Sequence, residues 1–197
     1  DGKLLFSWGE PGTGPGQFYF GRGGGNDSPA GGGVTFGGGY LFVSDSLHNR
    51  VQRMRLDGSE QTILIPPGQL ANPRGLTVYG DSLVVADDKN HRLAVFGLDG
   101  SFRRSIGNGQ GAGPGQLNFP FGVTADNWGR IFVADDMNQR VVRFGAGPQY
   151  PYRARWGSYG TGPGQRRRQV REAGQERHGR LVDRVVQVER RRPQRHR

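Results

Sequence analysis

The chain has no cysteine, and neither of its two methionines stands at the start, which is Asp1. Without cysteine there can be no disulfide, no cysteine nucleophile and no thiolate zinc site, although the compartment stays open because exported β-proteins also manage without it. No apolar run approaches the roughly eighteen residues of a membrane span. No signal peptide is visible, and a chain opening at Asp1 predicts that the natural N-terminus lies further upstream. No H-E-x-x-H pair and no G-x-S-x-G elbow occurs. Gly107-Asn108-Gly109-Gln110-Gly111 is glycine-rich but neither follows the right strand nor opens a helix, so it is no phosphate loop. Phe, Trp and Tyr are absent after Tyr159.

The net charge of +10 is unevenly placed. Twelve of the 27 basic and four of the 17 acidic residues fall in 166–197, which leaves 15 and 13 in residues 1–165. The body is nearly neutral. The basic balance, which would otherwise suggest a nucleic-acid partner, reports mainly on the tail.

What is present is repetition. Phe119–Phe144 holds an alternating apolar segment (Gly122–Asp126), a turn at Asn127-Trp128-Gly129 and a second run (Ile131–Ala134). A polar loop opening with Asp135-Asp136 and a third strand, Arg140–Phe144, follow. Alternation between turn signals predicts strands. Leu76–Phe96 and Val34–Met54 repeat the pattern. In each copy an Asp ends the second strand (Asp45, Asp87, Asp135) and an Arg opens the third five positions later (Arg50, Arg92, Arg140). Fourth strands are expected at Glu60–Ile65, Ser101–Ile106 and Tyr152–Trp156. Tight glycine-proline connectors link the units, as in Gly14-Pro15-Gly16-Gln17, Pro67-Gly68-Gln69, Gly113-Pro114-Gly115-Gln116 and Gly162-Pro163-Gly164-Gln165. A glycine-rich insertion, roughly Tyr19–Gly33, interrupts the first junction, and Lys3–Trp8 reads as the outer strand of an earlier unit. Four antiparallel strands recurring every 42 and 48 residues (Asp45 to Asp87 to Asp135) are the mark of propeller blades.

The pattern P-x-G-V/L-x-x-D…G-x-I/L-x-V-A-D-x-x-N-x-R-V/L-x-x-F resembles the NHL repeat over about Lys3–Gln165. Asp87…Asn90-His91-Arg92 and Asp135…Asn138-Gln139-Arg140 follow it closely, whereas His48-Asn49-Arg50 shifts the Asn by one position. Only Asp126 keeps the acid of the first strand. The resemblance implies an all-β, NHL-type propeller of which residues 1–165 supply about three blades. Because such rings typically hold about six, it also implies a fragment completed by a longer chain or by self-association. The open blade faces should then be an aggregation hazard.

Residues 166–197 break the pattern and allow three readings: a basic, partly helical extension, a degraded blade, or out-of-frame translation, the last being favoured by the sudden loss of aromatics.

The repeated acids Asp45, Asp87-Asp88 and Asp135-Asp136 could ring a channel and hold Ca²⁺, but their presence in every unit favours a structural role beside the Arg. No cofactor, metal or catalytic residue is therefore assigned. The remaining candidate is a binding face. Loops two-to-three and the connectors should gather His48, Lys89, His91, Met137 and Gln139 with Arg74, Phe119 and Phe121. Aromatics beside cations suit a protein or peptide partner, and RNA less well given the neutral body. The resemblance implies the same non-enzymatic interaction role. Its alternative is a metal-dependent propeller enzyme of the amidoglycolate lyase or lactonase type.

Overall fold

A computed structural model describes residues 2, 4, 7–20, 31–159 and 165–166. The basic tail beyond Arg166 and most of the glycine-rich insertion (21–30) lie outside the described residues, as does much of the expected strand at Lys3–Trp8. Among the described residues the structure is all-β. After two short strands, β1 (Glu10–Pro11) and β2 (Gln17–Phe18), three four-stranded sheets follow. Blade 1 comprises β3 (Val34–Gly37), β4 (Tyr40–Asp45), β5 (Arg50–Met54) and β6 (Thr62–Ile65). Blade 2 comprises β7 (Pro73–Tyr79), β8 (Ser82–Asp87), β9 (Arg92–Gly97) and β10 (Phe102–Ile106). Blade 3 comprises β11 (Pro120–Ala125), β12 (Ile131–Asp135), β13 (Arg140–Phe144) and β14 (Tyr152–Trp156). A last short pair, β15 (Ser158–Tyr159) and β16 (Gln165–Arg166), runs parallel.

Each blade is an antiparallel meander in chain order, as tight turns between neighbouring strands require. The expected strand ends hold closely. Asp45 pairs with Arg50, Asp87 with Arg92 and Asp135 with Arg140, so each Asp–Arg couple closes the ladder between the second and third strands. The first strands β3, β7 and β11 lie side by side across neighbouring blades.

Glycine makes that approach possible. Gly33, Gly75 and Gly122 occupy one repeat position, just before Val34, Leu76 and Val123, which pair with Val43, Val85 and Val133. A Cβ at Gly33 would stand 2.7 Å from the Arg74 carbonyl oxygen, and one at Gly75 would stand 2.8 Å from that of Phe121. No side chain fits where backbone meets backbone at this distance.

The core is layered between blades. Phe42, Val51 and Ile65 of blade 1 pack against Leu70, Leu76, Leu83, Val85, Ala94 and Phe96. Val84, Ala86, Leu93, Val95 and Ile106 on the other face of blade 2 pack against Leu117, Ile131, Val133, Val142 and Phe144. Blade 2 is thus covered on both faces, and its strands read as unbroken apolar runs, Leu83–Ala86 and Leu93–Phe96, all buried. Blades 1 and 3 each have one covered face, and in blade 3 burial alternates along β12 and β13.

Candidate interaction face

The site is built upward from the Asp–Arg couple. Asp135 is fully buried, and its Oδ2 accepts hydrogen bonds from Arg140 Nε (2.7 Å) and Asn138 Nδ2 (2.8 Å), while Oδ1 accepts from the Asn118 amide (2.6 Å). The rest of the Arg140 guanidinium donates to the carbonyls of Ala112, Gly113 and Gln116 in the preceding connector. Blade 1 repeats this: Asp45 accepts from Arg50 and the Tyr19 amide, and Arg50 donates to the Thr13, Gly14 and Gln17 carbonyls. In blade 2 the connector is shorter, and Arg92 reaches only the Gln69 carbonyl and the Ser105 hydroxyl besides Asp87. The recurring acids are therefore anchors that tie each connector to its own blade.

The connectors have an internal architecture that the glycine-proline reading left out. Gln17 and Gln116 fold back so that Oε1 accepts the amides of Gly14 and Gly113, both at 2.9 Å. Pro11 and Phe18, Gln110 and Leu117, and Tyr159 and Arg166 form equivalent parallel bridges across three connectors. The glutamine after Pro-Gly in the sequence was the available signal.

Between the second and third strands lie short 3-10 turns at Ser46–His48, Asp88–Asn90 and Asp136–Asn138. Each ends on a residue in the left-handed region: Asn49 (φ 53°), His91 (φ 53°) and Gln139 (φ 51°). Asn and His tolerate this conformation better than most side chains. The turns sit on the connector exits, with the Lys89 amide bonded to the Ala71 carbonyl and the Met137 amide to that of Asn118, both at 3.1 Å. They therefore open on one face with the connectors, as expected.

The left-handed residue also latches neighbouring blades. Asn49 Oδ1 accepts the Asn72 amide at 2.7 Å, and His91 Nδ1 accepts the Phe119 amide at 3.2 Å. This explains the altered order in the first repeat. His48 takes the position of Asn90 and Asn138 and bonds the hub Asp through Nδ1 (2.9 Å to Asp45 Oδ2), while Asn49 takes the latch position of His91. His-Asn and Asn-His divide the same two jobs in opposite order. In a His91→Ala variant the Phe119 amide loses its acceptor and a side chain poorly suited to positive φ is introduced, so we expect a loss of about 1–2 kcal/mol. His91→Asn should recover most of it, as read from urea midpoints at unchanged slope.

The proposed binding residues separate into two groups. Arg74 is buried, with Nε 3.4 Å from Asp88 Oδ2 and its guanidinium 5.3 Å from the centre of the Phe121 ring. Burial pushes the Asp88 carboxyl above its ordinary pKa, against the pull of Arg74 and Asn72. His91 and Phe119 meet edge to face at 4.5 Å in the seam between blades 2 and 3. His48 leans on the Tyr19 ring, and Gln139 bonds its own turn at the Asp136 carbonyl. Phe121 and Met137, by contrast, are 47% and 52% exposed, and Lys89 is exposed beside them on the same loop set. Among the described residues no three His, Asp or Glu side chains come together as a metal-holding group.

Three layered four-stranded meanders with first strands adjoining define a β-propeller. Residues 69–156 match a family model described as a 6-bladed β-propeller. The chain is 42% identical over 69 residues to RING finger protein nhl-1 of Caenorhabditis elegans, covering 34% of this chain and 7% of that protein. It is 36% identical over 103 residues to NHL repeat-containing protein 3 of Homo sapiens, covering 50% of this chain and 29% of that one. Among solved structures it is similar to a catalytically inactive virginiamycin B lyase from Staphylococcus aureus with quinupristin, at 16% identity and TM-score 0.49, covering 64% of this chain and 43% of that chain. The chain thus spans less than a third of either curated relative. Over the matched residues these similarities support an NHL-type β-propeller.

Proposed function

We propose that this chain is a non-enzymatic interaction module that binds a protein or peptide through the face carrying the 3-10 turns. The observation behind this reading is a division of labour within each loop. Asp45, Asp87 and Asp135 are all committed to Arg, Asn or His partners and connector amides, whereas the residues that vary between them, Lys89 and Met137, are exposed. Phe121, supported from behind by Arg74, adds an aromatic surface at the start of β11. In this reading Lys89, Phe121 and Met137 touch the partner, with His48 and Gln139 at the rim. Arg74, His91 and Phe119 hold the surface in place. An exposed aromatic and a methionine beside a cation suit an apolar peptide segment with an acidic flank. RNA is less suited, because the charge of Arg74 is spent on Asp88 instead of being offered to phosphate.

Panning a random peptide library against the full chain tests this. Enriched peptides should lose about tenfold or more in affinity against Phe121→Ala and Met137→Ala while far-UV dichroism stays unchanged. No enrichment, or peptides indifferent to both substitutions, would refute it. Tight binding of a single-stranded oligonucleotide with a steep salt dependence would give the face to RNA instead.

A further inference from the structure

The outer rim of the seam between blades 2 and 3 carries a charge that the seam between blades 1 and 2 lacks. Strand pairing sets Arg104 opposite Val95, which faces blade 3, and Arg155 opposite Val142, which faces blade 2. The two guanidiniums therefore stand on facing outer strands, β10 and β14, at the mouth of one seam. At the matching places between blades 1 and 2 stand Thr62, opposite Arg53, and Ser105, opposite Ala94. Hydroxyls in one seam are cations in the next.

A third cation joins them. Arg153 lies in the bulge of β14, where β10 has Arg103. Arg103 is neutralised by Asp81, whose two carboxylate oxygens accept from Nη1 and Nη2, both at 2.8 Å. Blade 3 has Gly129 at the place of Asp81, and its neighbouring Asp126 is bonded to Arg130. Blade 3 thus has the arginine without its counter-ion. No Asp or Glu occurs between Asp136 and Glu172. Arg104, Arg153 and Arg155 are all exposed, and among the described residues none of the three forms an ion pair. They are steadied from one side by neutral groups. Arg104 donates to the Pro148 carbonyl, Arg153 lies against the turn at Gly145, and Arg155 Nη1 donates to the Ala112 carbonyl at 3.0 Å. A guanidinium carries more N–H donors than these bonds use, and the rest are open to a ligand.

We propose that Arg104, Arg153 and Arg155 form a second docking site, apart from the face of Lys89, Phe121 and Met137, for an Asp- or Glu-rich segment of a protein partner. Charge complementarity names the occupant, because planar guanidiniums pair edge to edge with carboxylates. Nucleic acid fits less well. Tyr150 and Tyr152 pack into the core between blades 2 and 3, and the exposed Trp156 pairs with Val141, on the other face of β14. Bases would find no stacking platform beside these cations. Single exposed ion pairs are weak, so the affinity rests on several together and falls with salt.

Fluorescence anisotropy of a labelled octaglutamate peptide with the full chain at low ionic strength tests this. The peptide should bind, and physiological salt should weaken it several-fold. The triple variant Arg104→Gln/Arg153→Gln/Arg155→Gln should lose about tenfold in affinity, the sum of three exposed pairs, with dichroism and urea midpoint unchanged. Arg103→Gln/Asp81→Asn, which removes a neutralised pair from the same blade, should change the affinity less than about twofold. A benzophenone on the peptide should cross-link within 102–105 or 145–156. No binding by the unmodified chain overturns the proposal. So does a triple variant that binds as tightly as the unmodified chain, or a cross-link confined to 166–197, since either gives the peptide to that arginine-rich segment. A single-stranded oligonucleotide that binds more tightly than the peptide and is lost in the triple variant overturns the acidic-protein assignment in favour of nucleic acid.

Discussion

Gly75→Ala should cost most or all of the folding stability of this chain, although it adds a single methyl group. The added Cβ would lie 2.8 Å from the Phe121 oxygen, 2.9 Å from Gly122 Cα and 3.0 Å from the Val123 nitrogen. All three are backbone atoms of the neighbouring inner strand, so no rotamer change relieves the contact. Relief requires β7 and β11 to separate, and that opens the layer holding Ile131, Val133 and Val142 against blade 2. Overpacking typically costs about 1–3 kcal/mol where side chains can yield, and the cost here should reach or exceed the top of that range. Gly80→Ala is the control. Gly80 has φ 58° and open space around it, so alanine meets only left-handed backbone strain of about 1–2 kcal/mol. The readout is the urea midpoint at constant slope, with near-UV dichroism reporting blade packing. If Gly75→Ala unfolds no earlier than Gly80→Ala, the close approach of the inner strands is not what fixes this glycine.

That glycine also shows how far the sequence could be read. Alternation and the Asp-to-Arg spacing placed the middle strands almost to the residue, because a two-sided sheet imposes a period of two and a turn must interrupt it. The Pro-x-Gly positions were visible as a repeat, yet their reason was not, since it lies in a contact between residues 33 and 75, or 75 and 122, that only the assembled blades create. The functional residues divide in the same way. Lys89 and Met137 could be recognised as the varying part of a repeated loop, and the structure leaves them exposed. The inward turn of Arg74 onto Asp88 and the latch from His91 to Phe119 depend on partners 14 and 28 residues away in sequence. The pairing of His48 with Asp45 was closer to legible, because exchanging His and Asn within an otherwise fixed Asp-to-Arg spacing implies an exchange of roles.

The second large effect is expected at Asp135. Replacing it with alanine strips Arg140, itself only 3% exposed, of its buried counter-ion and leaves the Asn118 amide and Asn138 Nδ2 without this acceptor. Breaking a buried pair on one side costs about 3–5 kcal/mol, chiefly because the surviving charge stays desolvated. The connector should loosen with it, since Arg140 can no longer be held where it gathers the Ala112, Gly113 and Gln116 carbonyls. Asp135→Asn should be milder, keeping an oxygen for the Asn118 amide while presenting less negative charge to the guanidinium. The double variant Asp135→Ala/Arg140→Met should be more stable than Asp135→Ala alone, because it removes the stranded cation and keeps an apolar chain in its place. The contrast is Asp81, whose carboxyl is held down to about 2 by hydrogen bonds from Arg103 but which lies in solvent, so that Asp81→Ala should shift the midpoint little. A double variant as unstable as Asp135→Ala would mean that the orphaned charge is not the dominant cost. An Asp135→Ala chain with a near-native midpoint would remove the hub itself, and with it the claim that these repeated acids are scaffold.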